Sequence, residues 1–71
     1  MKTEEVRFMF KKYMAIEHIE TFQKLAKLTG IKYQTLLDHL EEPSLFRKYE
    51  IENIHEVLHF SNEDLISLIT T

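Results

Sequence analysis

Apolar residues recur along this chain in short helical stripes separated by abrupt breaks. Val6, Met9, Phe10, Tyr13 and Met14 fall at i, i+3, i+4, i+7 and i+8, one face of a helix predicted from Thr3 to Met14. Thr3 is its expected cap, and Glu4 and Glu5 occupy the first turn, where the helix dipole favours anions. Ala15 to Glu20 reads as a connector, with Ile16 and Ile19 as anchors into the core. Thr21 is placed to cap a second helix, Phe22 to Leu28, whose inward side carries Phe22, Leu25 and Leu28 around the small Ala26. Gly30, the only glycine in the chain, stops that helix where a left-handed backbone costs least. Ile31 then plugs the turn into the core.

A third helix is predicted from about Lys32 to Leu40. Leu36, Leu37 and Leu40 face inward, and Lys32, Tyr33, Gln34, Thr35, Asp38 and Glu41 face outward. Pro43 ends it, because the residue before a proline is driven out of the helical region. Ser44 to Phe46 reads as a loop. The fourth helix spans about Arg47 to His59, with Ile51, Ile54 and Leu58 on one face. Ser61 caps a fifth, Asn62 to Ile69, which buries Leu65, Leu68 and Ile69; Asp64 completes a pattern close to a capping box. The expected fold is all-α, a bundle of about five short helices in one domain, residues 1–71.

Composition narrows the chemistry. A chain of 71 residues buries only about 60% of the surface its unfolded form exposes. With no cysteine and one proline, disulfides, thiolate metal sites and turn-rich sheet structures are excluded. No apolar run is long enough to cross a membrane, and the charged start, Met1 to Glu5, is unlike a secretory signal; the expected location is the cytoplasm. Charge is uneven. Residues 1–35 hold seven Lys/Arg against four Glu, and residues 36–71 hold two against eight Asp/Glu, for a total of −3.

Two short helices joined by a tight turn around a glycine form a helix-turn-helix unit, here Phe22 to Leu40. Such a unit can lay its second helix in the major groove of DNA. The wider pattern resembles the phage repressor and Cro-like (lambda-repressor-like) family, in its small phage and Gram-positive form. The residues that carry the resemblance are Leu25-Ala26, Gly30-Ile31, Thr35-Leu36, Leu40, Pro43, Phe46, Glu50-Ile51, Ile54, Leu58, Ser61 and Leu65. They cover roughly two-thirds of the chain. The resemblance implies a transcription regulator that binds double-stranded operator DNA as a homodimer, with recognition helix 32–40 in the groove. Lys32, Tyr33, Gln34 and Thr35 match the start of that helix, and Asp38 an outward position one turn on. Thr21 and Phe22 match the helix start whose amides meet a phosphate, and Arg47 and Lys48 a backbone-contacting helix start. Relatives often carry Arg or Lys where this chain has Asp38, His39, Glu41 and Glu42. His39 stands in an aliphatic position, His55 where a small alanine is common, and Arg47 where a Ser or Thr would cap.

Gln34 is the best base reader by chemistry, since an amide can bond adenine N6 and N7 together. Asp38 can accept from cytosine N4. The bland alternative is that these residues are the solvated face of a surface helix. The acids Asp38, Glu41 and Glu42 also fit a second reading: a protein-interaction module with the same fold, an antirepressor or an inhibitor that engages a basic host or phage protein. His55 and His59 have the i, i+4 spacing of zinc ligands, but the sequence offers no clear third ligand, so no metal is expected. Ser44, Ser61 and Ser67 sit in no nucleophile motif, and one glycine cannot build a phosphate loop; neither an enzyme nor a cofactor is expected.

Overall fold

The computed structural model describes residues 3–70, and helices α1 (Thr3–Ile16), α2 (Phe22–Thr29), α3 (Tyr33–Glu41), α4 (Lys48–Leu58) and α5 (Asn62–Ile69) account for most of them. A single 3₁₀ turn, Pro43–Leu45, joins α3 to α4, and the described residues contain no strand.

The core forms around Phe10. Its ring lies 5.9 Å from that of Phe46 and 5.6 Å from that of Phe60, and Tyr13 meets Phe60 edge-on at 4.9 Å. Phe46 and Phe60 both lie between helices, as do the buried Ile19 and Ile31, so the connections add to an interior that the helices mostly supply. Val6, Leu25, Leu36, Leu40, Ile54 and Leu58 complete it, each fully buried. A buried leucine or isoleucine of this kind is worth about 2–3 kcal/mol in apolar area removed from water.

The helix starts are set by different means. Thr21 caps α2 by accepting from the Lys24 N–H at 3.1 Å, and Ser61 caps α5 by accepting from the Asp64 N–H at 3.2 Å. Lys32 and Arg47 occupy the N-cap positions of α3 and α4, where neither can accept a bond. At α4 only the reciprocal half of a capping box exists: the Glu50 carboxylate accepts from the Arg47 N–H at 2.8 Å. Glu50 is 2% exposed, and His39 Nδ1 lies 3.1 Å from the same oxygen, tying α3 to α4. Glu42 is extended (φ −136°, ψ 82°), as the following Pro43 requires.

Three apolar positions depart from the expected pattern. α1 continues two residues past Met14, and Ile16 remains in it just outside the buried stripe, 61% exposed. Leu28 is 52% exposed because Thr29 takes the inward place one turn after Leu25. Ile69 is 59% exposed at the end of α5, where it lines an open groove against α4. Thr3 is also not a cap. It lies inside the first turn of α1, and its hydroxyl donates to the Glu41 carbonyl at 2.9 Å.

Candidate functional site

The connection between α2 and α3 is only Gly30, Ile31 and Lys32, with Ile31 buried between two exposed residues. Gly30 adopts φ 76°, ψ 11°, the left-handed region, and its N–H bonds the Ala26 carbonyl. The Ile31 N–H reaches the same carbonyl at 3.2 Å, a helix-ending pattern that seats the next apolar residue against the helix it leaves. Thr29, itself buried, donates to the Leu25 carbonyl at 2.9 Å. The Thr29 carbonyl, left over at the helix end, accepts from Asn53 Nδ2 of α4 at 3.3 Å. Asn53 and Thr29 are residues that the hydropathy pattern does not mark.

The residues singled out from the sequence fall into three places. Thr21, Phe22 and Tyr33 line a groove of about 780 Å³ together with Lys11, His18 and Gln23. Its wall therefore combines the end of α1, the start of α2 and the first residue of α3. Phe22 is half-buried against the core there, while Tyr33 is exposed. Gln34 and Asp38 lie on the open side of α3 and bond to each other, Gln34 Nε2 donating to Asp38 Oδ1 at 3.1 Å. Thr35, expected outward, is only half-exposed, as is His39 one turn on along the same side of the helix. Arg47 caps α4, and Lys48 instead lines the second groove, about 510 Å³, with Ile51, His55, Leu65 and Ile69.

The charges around α2 and α3 are unequally satisfied. Glu41, an acid at the end of α3, is held by an ion pair with Arg7 of α1. Lys12 is held by Asp64 at 3.4 Å. Among the described residues Lys11, Lys24, Lys27, Lys32, Arg47 and Lys48 enter no ion pair. Two of them, Lys32 and Arg47, sit at helix starts, where a cation opposes the dipole and a Ser, Thr or Asp would be favoured by about 1 kcal/mol. A chain that gives up stability at two caps leaves positive charge beside amides that lack a capping acceptor, and departures of this kind gather at functional sites.

His55 and His59 do not converge. His59 is the left-handed C-cap of α4 (φ 56°) and exposed, whereas His55 stacks 6.1 Å from Phe60 with its Nδ1 buried. No group of three or more His, Asp or Glu among the described residues is arranged to hold a metal ion. No helix there is long and apolar enough to cross a membrane. No protein-family model, curated protein or solved structure matches this chain.

Proposed function

We propose that α2, the Gly30 turn and α3 form a helix-turn-helix that binds duplex DNA, in a transcription regulator of the repressor/Cro type. The observation that carries this reading is the distribution of free cations: among the described residues Lys11, Lys24, Lys27, Lys32, Arg47 and Lys48 enter no ion pair, and two of them displace the natural capping residues of α3 and α4. Affinity for DNA comes largely from neutralising phosphates. The acidity of the α3 end weighs less than the sequence suggests, because Glu41 is paired with Arg7, although Asp38 and Glu42 keep their charge. Tyr33, Gln34 and Asp38 are the base-facing residues, and the groove through Thr21 and Phe22 receives a phosphate on the start of α2. Two copies related by a two-fold axis set their α3 helices in successive major grooves.

The test is a titration of fluorescent duplexes, selected from a random-sequence pool, across a range of salt. Binding should weaken steeply between about 50 and 200 mM salt, and Lys32→Ala and Arg47→Ala should each lower affinity and reduce the salt slope by about 1. Binding that ignores salt, or no duplex recovered at all, would overturn the reading. In the second case the exposed carboxylates Glu42, Glu52, Glu56 and Glu63 would make a basic protein the partner to seek.

A further inference from the structure

Gln34 and Asp38 stand one turn apart on the outer side of α3, and their bond has a direction. An ionised carboxylate only accepts, so Asp38 draws the nitrogen end of the Gln34 amide toward itself. That choice fixes which way round the amide lies. Gln34 Oε1, the second N–H of Gln34 and the second oxygen of Asp38 remain without partners among the described residues. Adenine presents a donor at N6 beside an acceptor at N7, and cytosine a donor at N4. The unused oxygen and N–H of Gln34 complement the first, and the unused oxygen of Asp38 the second.

We propose that Asp38 is a positioning residue for base readout: it holds the Gln34 amide in the orientation that pairs with one adenine and offers its other oxygen to a neighbouring cytosine. The inference rests on the duplex-DNA reading above and deepens it. In water an i, i+4 amide–carboxylate pair is weak. Between α3 and a groove floor water is excluded, and the same bond strengthens. A flexible glutamine loses rotamer freedom on binding, and here part of that loss is already incurred before the duplex arrives.

The experiment compares wild type, Asp38→Ala, Asp38→Asn, Gln34→Ala and the double alanine variant. Each is titrated against the selected duplex, its single-base variants and a scrambled duplex at one salt concentration. Asp38→Ala should bind the scrambled duplex more tightly, because a repelling charge is gone. It should also lose about tenfold in discrimination at the adenine read by Gln34. Asp38→Asn, which retains an acceptor oxygen, should recover part of that discrimination. The double variant should discriminate no worse there than Gln34→Ala, since the two act as a unit. If Asp38→Ala tightens binding to every duplex alike and leaves discrimination intact, Asp38 acts as charge alone and the proposal fails. A wild-type chain that binds no duplex removes the reading beneath it and the proposal together.

Discussion

The Tyr13 hydroxyl accepts from the Ser61 N–H at 3.1 Å and donates to the Asp64 carboxylate, so a residue of α1 completes the start of α5. Ser61 and Asp64 are recognisable as a cap from sequence alone. The expected return bond from Asp64 to the cap N–H is instead relayed through a phenol 48 residues away, which local spacing cannot show. The bond from Tyr13, then the nearby Lys12 ammonium, holds the Asp64 carboxyl below its ordinary value of 3.8, against a partial burial that works the other way. A carboxyl depressed by folding stabilises the native state above its unfolded pKa, and that contribution is lost as pH falls through the folded value. Tyr13→Phe should therefore cost about 1–2 kcal/mol near neutral pH, leaving the Ser61 N–H without its acceptor. The same variant should also show a shallower loss of stability in acid. Urea denaturation of both proteins at neutral and acidic pH measures the difference; parallel pH profiles would show that Tyr13 does not set the titration of Asp64.

Three helices end the same way. His18, Gly30 and His59 take left-handed conformations at φ 59°, 76° and 56°, and each is followed by a buried apolar residue, Ile19, Ile31 or Phe60. The helix boundaries were largely legible because stripe, cap and breaker agreed, most clearly at Thr21, Gly30 and Pro43. The two histidine turns were not, since nothing in a histidine announces a positive φ, and Phe60 was passed over for want of a helical register to place it in. At Gly30 an added Cβ meets nothing within 4 Å, so Gly30→Ala should cost only the backbone term, about 1–2 kcal/mol. At His59 the logic reverses. Replacing it with glycine relieves about 1–2 kcal/mol of strain against about 1 kcal/mol of added unfolded-state freedom. His59→Gly should raise the thermal midpoint slightly while Gly30→Ala lowers it; calorimetry of the two variants checks both signs.

The described residues fill a body of 25 × 23 × 21 Å, too small to bury every apolar side chain that the pattern supplies. Phe8, Ile16, Leu28, Leu45, Ile66 and Ile69 are among those left outside, and periodicity alone cannot tell a core position from one left at the rim. Ile69 has a use at this scale. It lines the α4–α5 groove with Ile51 and Leu65, and the same groove carries Lys48 and Glu52. Two copies meeting there about a two-fold axis, as the proposed homodimer requires, would cover Ile51, Leu65 and Ile69. Ile69→Glu should then give a monomer by sedimentation equilibrium and weaken operator binding more than single-site contact loss does. A variant that stays as associated as the wild type would place any dimer contact elsewhere. The two helix starts described above also differ in what they offer a negative group. α2 has no acid in its first turn, whereas at α4 the buried Glu50 carboxylate already accepts from the N–H of the N-cap residue, Arg47. An anion at α2 would thus meet peptide groups and the Lys24 ammonium, and at α4 the side chains of Arg47 and Lys48. Reagents that acylate amines would neutralise Lys24, Lys27, Lys32 and Lys48 alike, all of them exposed, leaving Arg47 and the peptide groups at the start of α2 as what remains to attract an anion.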